Sequence, residues 1–477
     1  MKKTVSINSK RSTLYSLKAP SKLSIRPSGN NKGQRFRSVF MRDRDRVLYS
    51  KAFRRLAGKT QVYLSGNDDH KRTRLTHTLE VAQIAKTISN SLKLDLDLTE
   101  AIALGHDIGH TPFGHAGERI LHEIMTPQTS ENAIIHDCPL IELNSNVFDE
   151  YLGFKHNLQS VNVSICSEKS YDNYGLDLTN FTLYGMSVHS SKKYKSGCNC
   201  DKLGYYDRFN NHMKLADSSN YAWSFEAFVV KEADEIAQRH HDLEDAIRGN
   251  LISKEEVTSQ IKNHFFNYFN SSDRNLLRQM KTTTDNEMYI SLLSRLIVNL
   301  FVTRITKCSI YNLNTFIKKY NLTEKNFPDF MLSHDATEPL SLITYDNVED
   351  ANDFKDKMGK FESFLTTKVL SSYEIQTADT HGQYIIKKIF QAYYRNPQQL
   401  PDHCVLEFCI STNKYTIEQA QNIINTKGMG EIRAAFFKDF IPNAQKEDRL
   451  ILMRVICNQI SGMTDSYAQK IYSNLYS

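Results

Sequence analysis

Residues 105–118 read GHDIGHTPFGHAGE and hold more ionisable chemistry than any other stretch of this 477-residue chain. Three His and two carboxylates stand there among four Gly and one Pro. Burying such groups is costly unless each is paired or bound to a metal, and a packed core would use Leu or Ala instead. His and Asp side by side can give one metal an imidazole nitrogen and a carboxylate oxygen. The stretch therefore predicts a functional site.

Helical periodicity dominates the sequence on both sides of this stretch. Predicted helices cover residues 41–59, 74–91, 98–110, 115–125, 223–248 and 255–315, and most of 366–477. Thr99 is the predicted N-cap of the third helix, and Pro112 with Gly114 forces the turn that follows it. Short strands are predicted at 181–188 and 340–345. Because Gly and Pro are scarce, we expect an all-α protein with minor β elements.

Charge is unevenly distributed along the chain. Residues 1–60 carry 17 Lys and Arg against two Asp, a net charge of +15, whereas the rest of the chain carries −9. We predict a basic N-terminal arm over residues 1–38 and a polar insertion at about 166–220. A basic arm suits anionic partners such as nucleotides, nucleic acid or the acidic face of another subunit. A solvated, partly disordered tail would have the same composition.

The cysteines and the hydropathy argue against several protein classes. The eight Cys show no spacing typical of a disulfide framework. We interpret Cys198 and Cys200 as unpaired thiols, because no second pair of zinc ligands accompanies them. No apolar segment follows the basic N-terminus as in a signal peptide, and no run of 18 apolar residues predicts a membrane span. These features favour a protein of the reducing cytoplasm with no membrane partner.

Four potential metal ligands lie on three predicted helices. His77 lies on the second helix, His106 and Asp107 lie on the third, and Asp234 lies on the helix over 223–248. The spacing of His77 and His106 is enough for two helices in an antiparallel hairpin, and helical bundles build metal sites from His and carboxylates on facing helices. This mixed nitrogen and oxygen set suits Mn²⁺, Fe²⁺, Ni²⁺, Zn²⁺ or Mg²⁺.

The order His77, His106-Asp107, Asp234 resembles the H…HD…D signature of the HD-domain metal-dependent phosphohydrolases. Longer blocks resemble one branch of that superfamily, the bacterial deoxyguanosine triphosphate triphosphohydrolases (dGTPases), kin to the animal HD-domain enzyme that depletes dNTPs. These blocks follow the family order and lie at residues 52–56, 59–62, 72–84, 241–247 and 461–468. The H…HD…D pattern alone is moderately specific, whereas the ordered blocks are highly specific.

The resemblance implies an organisation and an activity. Residues 39–315 would form the HD-domain core, and residues 316–477 a mainly helical C-terminal region that completes the nucleotide pocket and the oligomer contacts. Water would attack the α-phosphorus of a deoxynucleoside triphosphate, dGTP foremost, and release a deoxynucleoside and inorganic triphosphate. The family also implies a homo-oligomer, a hexamer or a tetramer. A dNTP effector and single-stranded DNA are further candidate partners.

The resemblance assigns His77, His106, Asp107 and Asp234 to one divalent metal ion per subunit. Mn²⁺ and Mg²⁺ are the foremost candidates, with Fe²⁺, Ni²⁺, Zn²⁺ or Co²⁺ as alternatives. Such an ion would polarise the α-phosphate and lower the pKa of a bound water.

The resemblance also assigns catalytic and phosphate-binding residues beside the metal. His115 would act as general acid or base, because a free imidazole titrates near neutrality. Glu118, one helical turn on, would orient His115, although a carboxylate also suits a helix N-terminus. His110 completes the catalytic set and would contact phosphate together with Arg74, whose planar guanidinium matches phosphate oxygens. His156, in a shorter matching block, would lie near the phosphates.

Gln61 and Asp242 are assigned to the sugar. An amide and a carboxylate can bond a 3′-hydroxyl, and a site built around one hydroxyl discriminates strongly when that bond is not made. For Asp242 the alternative is a surface carboxylate beside Glu244 and Asp245. The chain departs from the family at Gln238, where many members have Tyr near the phosphates or sugar.

Three other interpretations have weaker support. Gly58-Lys59-Thr60 looks like the end of a P-loop, but that motif needs Gly at the position of Phe53. Another HD phosphohydrolase activity, on nucleoside monophosphates, cyclic nucleotides or alarmones, would use the same metal core. A nucleic-acid-binding or nucleotide-sensing protein would explain the basic arm. The preferred base stays open, as does the biological role, whether pool control, mutation avoidance or phage defence.

Overall fold

The computed structural model describes residues 16–30, 36–61, 72–126, 153–171, 175–191, 204–216, 218–345 and 350–476, and these residues are mainly helical. The first helices are α1 (Val39–Leu48), α2 (Lys51–Arg55), α3 (Arg74–Ser91), α4 (Leu96–Gly105), α5 (Gly114–Ile124), α6 (His156–Asn162), α7 (Asn180–Val188), α8 (Phe225–Arg248), α9 (Lys254–Phe265) and α10 (Ser271–Thr282). The later helices are α11 (Asn286–Tyr320), α12 (Phe327–Ser333), α13 (Thr337–Leu340), α14 (Ala351–Leu365), α15 (Tyr373–Arg395), α16 (Asp402–Ser411), α17 (Ile417–Lys427), α18 (Met429–Ala435), α19 (Lys446–Ser461) and α20 (Asp465–Tyr476). The predicted all-α class is confirmed.

Two hydrophobic cores organise these helices. The larger core buries apolar faces of α1, α3, α4, α7, α8 and α11, with Trp223 fully buried in it. The smaller core is formed mainly by α5, α15, α16 and α19. Helix α3 packs against both α4 and α8, and these three helices carry the predicted metal ligands. Helix α5, which carries His115 and Glu118, packs on α15.

The predicted start of the third helix is wrong. Helix α4 begins at Leu96, because the Asp95 carboxylate accepts from the backbone N–H groups of Asp97 and Leu98 and so caps the helix. Thr99 is buried inside the first turns, and its hydroxyl bonds the Asp95 carbonyl. The helix ends at Gly105, so His106 and Asp107 lie at its C-terminal boundary.

The predicted strands are also wrong. Residues 181–188 belong to α7, which Thr179 caps by accepting from the Thr182 N–H. This helix is buried almost throughout, and a short buried apolar segment cannot be assigned to helix or strand by periodicity alone. Residues 341–345 form turns and bends after α13. Among the described residues, β pairing is limited to isolated bridges at Thr60–Thr73 and Lys214–Tyr221.

Part of the predicted basic arm packs against the body of the protein. Leu17 and Ala19 are buried in the larger core. The Arg26 guanidinium pairs with Asp43 at 2.7 Å, and both side chains are fully buried. These contacts tie residues 16–30 to α1 and to the segment before α7. Residues 1–15 and 31–35 of the arm lie outside the described residues.

The predicted polar insertion contains part of the core. Helix α7 lies within it, and so does a 3₁₀ helix at Gly204–Met213 that buries Tyr205, Tyr206 and Phe209. Cys198 and Cys200 lie outside the described residues. The boundary expected at residue 315 falls inside α11, which continues to Tyr320.

Helix α11 is long and apolar enough to cross a membrane by length and composition. Its 18-residue window has a mean hydropathy of 1.4 and is half buried inside the protein. Leu293, Leu296 and Phe301 lie in the larger core. Core packing therefore accounts for the apolar composition without a membrane.

Candidate metal centre and catalytic pocket

Helices α3, α4 and α8 bring the four predicted metal ligands together. His77 Nε2 on α3 lies 2.9 Å from Asp234 Oδ1 on α8. His106 Nε2, at the end of α4, lies 3.8 Å from the same Asp234 oxygen and 3.6 Å from Asp107 Oδ1. Atoms that each lie about 2.1 Å from one ion are separated by such distances. The four side chains are therefore close enough to share one divalent cation.

The hydrogen bonding of His106 indicates a cation ligand. Its Nδ1 lies 2.7 Å from the Ala103 carbonyl oxygen, which can only accept, so Nδ1 carries the proton and Nε2 a lone pair. This Nε2 is buried and has no hydrogen-bond partner within the described part of the chain. Buried polar atoms are rarely left unsatisfied unless they serve a ligand or a function. The donor set fits the divalent ion that the sequence predicts.

Arg74 keeps Asp107 ionised and oriented. One guanidinium nitrogen, Nη1, lies 2.5 Å from Asp107 Oδ2, which leaves Oδ1 for a cation. Burial opposes ionisation of Asp107, but the adjacent Arg74 guanidinium holds the pKa of this carboxyl well below its ordinary value. Asp107 is therefore available as a carboxylate ligand.

An outer chain of hydrogen bonds orients His77. Its Nδ1 lies 3.3 Å from His241 Nδ1, and His241 Nε2 bonds the Glu80 carboxylate. Burial lowers the pKa of His241 to about 3, so this ring is neutral. Because Glu80 accepts from Nε2, His241 Nδ1 must accept from His77 Nδ1, and His77 Nε2 keeps its lone pair towards Asp234. Outer partners of this kind fix the tautomer of metal-binding His.

His115 and Glu118 form a hydrogen-bonded pair at the mouth of the pocket. His115 Nδ1 lies 3.1 Å from Glu118 Oε2; the His115 side chain is 51% exposed and that of Glu118 only 2%. The other carboxylate oxygen of Glu118 accepts from the backbone N–H and Nδ1 of His156, at 3.1 and 3.0 Å. Burial opposes ionisation, but His156 and His115 hold the pKa of Glu118 well below its ordinary value. A buried carboxylate thus orients His115 and leaves its Nε2 accessible for proton transfer.

His110 is a buried neutral donor. The backbone N–H of Thr111 donates to His110 Nδ1 at 3.1 Å, so the proton of the neutral ring lies on Nε2. Burial, with help from Arg74, holds the pKa of His110 well below its ordinary value. Its Nε2, together with Nε and Nη2 of Arg74, is buried without a partner among the described residues. The His110 ring stacks on His156 at 4.5 Å, so these donors lie beside the metal ligands.

Close backbone contact fixes the turn that carries these residues. A Cβ at Gly109 would come 2.1 Å from the Ser160 nitrogen on α6, so only Gly fits. The Ser160 hydroxyl donates to the His106 carbonyl at 2.7 Å and accepts from the Gly109 N–H at 2.9 Å. Helix α6 is thereby held against the turn, which places His156 in the pocket.

The late block at residues 461–468 contributes to the same turn. Asp465 accepts from the Phe113 N–H at 3.0 Å and from the Thr60 hydroxyl at 2.6 Å. Phe113 has a φ of 59°, which is strained for a residue with a side chain. The buried Lys59 ammonium donates to the carbonyls of His110 and Ser461. These hydrogen bonds therefore join the C-terminal region to the turn that carries the pocket residues.

The structure connects Gln61 and Asp242 less directly. The Gln61 backbone N–H donates to the Arg72 carbonyl at 3.3 Å, and the Arg72 guanidinium pairs with Glu244 and Asp245 on α8. Gln61 Oε1 is buried without a partner in the described chain. Burial, reinforced by Asp245, raises the pKa of Asp242 to about 7. Both side chains are partly buried. Arg72 connects the Gln61 backbone to α8, the helix that carries Asp242.

Three further residues of this region were not predicted from the sequence. His241 and Glu80 orient His77, and His189, at the end of α7, is fully buried 4.9 Å from the His106 ring. Glu80 lies three residues after His77, so helical spacing offered a signal. His189 offered none, because it lies within the segment predicted to be a polar insertion.

Comparison with known proteins agrees with this geometry. The model of the HD domain family matches residues 74–148, and that of the phosphohydrolase-associated domain matches residues 350–425 and 429–474. A deoxyguanosinetriphosphate triphosphohydrolase-like protein of Rickettsia felis is 30% identical over 445 residues, which cover 93% of this chain and 92% of the relative. This chain belongs to the dGTPase-like HD-domain family.

Other dGTPase-like relatives cover different shares of the chain. The one from Leptospira interrogans is 29% identical over 453 residues, covering 92% of this chain and 90% of the relative. The one from Desulfatibacillum aliphaticivorans is 40% identical over 240 residues, so the matched part spans about half of each chain, 49% and 56%. Membership of the family identifies this dGTPase-like protein as a metal-dependent phosphohydrolase.

Proposed function

We propose that this dGTPase-like protein hydrolyses deoxynucleoside triphosphates, dGTP foremost, at the α-phosphorus, and releases a deoxynucleoside and inorganic triphosphate. The observation that carries the proposal is that the cluster of potential metal ligands adjoins a set of N–H donors to which the described residues offer no acceptor. Buried N–H groups of Arg74 and His110 that have no acceptor among the described residues adjoin Asp107 and His156. The oxygens of a bound polyanion would accept hydrogen bonds from these N–H groups.

A bound metal ion, Mn²⁺ or Mg²⁺ foremost, would be held by His77, His106, Asp107 and Asp234. When bound, it would polarise the α-phosphate and lower the pKa of a water molecule. The protein supplies the rest of the charge balance. Arg74 would contact phosphate oxygens with Nε and Nη2 while Nη1 stays on Asp107. His110 would donate from Nε2 as a neutral ring. His156, which stacks on His110, would also face the phosphates.

The bond that breaks joins the α-phosphorus to the 5′-oxygen of the deoxynucleoside, and the oxygen of water replaces it on the triphosphate. The leaving 5′-oxygen needs a proton, which the protonated His115 ring would supply from Nε2. The attacking water would release one proton to solvent, and His115 would take one up from solvent before the next turnover. Glu118 would stabilise the protonated ring through its bond to Nδ1. Positioned acid–base groups of this kind accelerate reactions by about 10²–10⁴-fold.

At the sugar, Gln61 and Asp242 would bond the 3′-hydroxyl. The raised pKa of Asp242 leaves this carboxyl able to donate as well as accept near neutral pH. A hydroxyl would also satisfy the buried Gln61 Oε1, which supports a sugar contact at this end of the pocket.

Product analysis tests the proposal. The protein is incubated with each of the four dNTPs and with GTP, in Mn²⁺ or Mg²⁺, and the products are separated by anion-exchange chromatography. We expect deoxynucleoside and triphosphate from a dNTP, with dGTP fastest and GTP unchanged. Release of a nucleoside monophosphate with pyrophosphate, or of orthophosphate, would favour another HD phosphohydrolase activity instead.

We also propose a cytoplasmic homo-oligomer, a hexamer or a tetramer, with a dNTP effector and single-stranded DNA as candidate ligands. The unequal charge supports an anionic partner, although Arg26 and Arg46 already pair internally with Asp43 and Asp177. Light scattering gives the subunit number. Salt-dependent DNA binding that survives in His106→Ala without hydrolysis would favour the binding-protein alternative.

A further inference from the structure

Three buried ligand atoms converge beside the predicted metal centre. His189 Nε2 lies 3.2 Å from His156 Nε2 and 4.0 Å from Asp107 Oδ1. His156 Nε2 lies 3.9 Å from the same Asp107 oxygen. All three side chains are at least nine-tenths buried. None of the predicted roles uses His189.

The two imidazoles direct their Nε2 atoms at each other. His189 Nδ1 lies 2.7 Å from the Met186 carbonyl oxygen, and His156 Nδ1 lies 3.0 Å from the Glu118 carboxylate, so both Nδ1 atoms donate. The two Nε2 atoms therefore face each other at a separation of 3.2 Å. Two facing lone pairs would repel each other, so either a proton or a metal ion lies between them.

The geometry suits a metal ion in that position. A point equidistant from three atoms separated by 3.2, 3.9 and 4.0 Å lies about 2.2 Å from each, which matches the length of about 2.0–2.2 Å for bonds from His nitrogen and carboxylate oxygen to a divalent metal. Asp107 Oδ1 also faces His106 Nε2 at 3.6 Å, so this oxygen would be shared with the first ion. Metal pairs that act on phosphates lie about 3.5–4 Å apart.

We propose that Asp107, His156 and His189 hold a second divalent cation, next to the ion of the four predicted ligands. The site rests on side-chain geometry and adds to the proposed function. A second cation would neutralise phosphate charge from the side of His110 and Arg74. It gives His156 the role of a metal ligand in place of a direct phosphate contact.

Metal stoichiometry tests the site without any activity assay. The full-length protein is stripped with a chelator, reloaded with Mn²⁺, desalted and analysed by inductively coupled plasma mass spectrometry. We expect two equivalents per chain in the wild type and in His403→Ala, a control with an exposed His. We expect one equivalent in His189→Ala and in the more conservative His189→Phe. Thermal unfolding confirms that each variant is folded.

Spectroscopy gives an independent result. Two Mn²⁺ ions that share a carboxylate oxygen should give a spin-coupled electron paramagnetic resonance spectrum in the wild type, which His189→Ala should convert to that of an isolated ion. One equivalent in the saturated wild type would overturn the proposal and leave a shared proton between the two rings. Two equivalents in folded His189→Ala would overturn it as well. Two equivalents in a protein that releases no triphosphate would support the site while contradicting the proposed function.

Discussion

The two sides of the pocket differ in the hydrogen-bonding groups that they leave unpaired within the described chain. We call the side with His77 and His106 the metal side and the side with His110 and Arg74 the phosphate side. On the metal side, His106 and His77 expose lone pairs because their other nitrogens donate to Ala103 and His241. On the phosphate side, His110 and Arg74 expose N–H groups that have no acceptor among the described residues. One side therefore suits a cation and the other an anion. A metal-bound phosphate would satisfy both sides at once, which neither side alone would indicate.

The largest effect should come from the metal side. Asp107→Ala removes a ligand carboxylate, so we expect loss of both the metal and turnover. Metal content and product formation are measured on the same sample. Because the variant also leaves Arg74 without its partner, Asp234→Ala serves as a second test and should lose the ion of the four ligands together with turnover. Metal retained at wild-type occupancy in both folded variants would contradict the ligand assignment.

The phosphate side should respond differently. His115→Ala should keep the metal of the four ligands but lower kcat by about 10²–10⁴-fold, the contribution of a positioned acid or base. His403→Ala is the matched control and should keep full activity. Equal loss of metal and turnover in His115→Ala would mean that the two sides are not separable.

A smaller effect is expected from the outer partners of the metal side. His241→Ala removes the acceptor that orients His77 and should weaken metal affinity by about 10- to 100-fold. Its neighbour His240 also approaches Glu80, at 3.3 Å, but is not the acceptor for His77. His240→Ala should therefore bind metal nearly as the wild type does in a competition titration. Equal weakening in both variants would assign the effect to Glu80 or to packing.

The smallest effect is expected for the pH dependence of folding stability that Asp242, at the sugar end of the pocket, contributes. The folded pKa of Asp242, about 7, lies above its ordinary value of 3.8, so the folded state binds the proton more tightly. Stability from this group is complete below about pH 4 and declines as pH rises towards 7. Asp242→Asn should therefore raise the thermal midpoint at pH 8 but not at pH 4. The exposed control Glu324→Gln should show no such pH dependence, and a midpoint gain at pH 4 would contradict the account.

The sequence predicted those parts of the pocket that regular helices present at fixed intervals. His77, Asp234 and the His106-Asp107 pair are brought together because they lie on α3, α8 and the end of α4, whose existence the periodicity predicts. Their assignment as ligands stays a prediction. Residues 181–188 were assigned wrongly, because a fully buried segment has no polar face to reveal its period.

Contacts between distant segments could not be predicted from the sequence. The approach of His189 to His156 and Asp107 depends on how α7 packs beside α6. The hydrogen bonds from Phe113 and Thr60 to Asp465 join residues several hundred positions apart. Local patterns carry no information on such pairs, although the resemblance of residues 461–468 to a family block indicated that the segment matters.

The central claim is that water attacks the α-phosphorus of a deoxynucleotide held between the two sides of this pocket. Hydrolysis of dGTP in ¹⁸O-labelled water, followed by mass spectrometry of both products, tests it most directly. The account predicts one ¹⁸O atom in inorganic triphosphate and none in deoxyguanosine. Label in the nucleoside, or label in pyrophosphate or orthophosphate with no triphosphate formed, would contradict it.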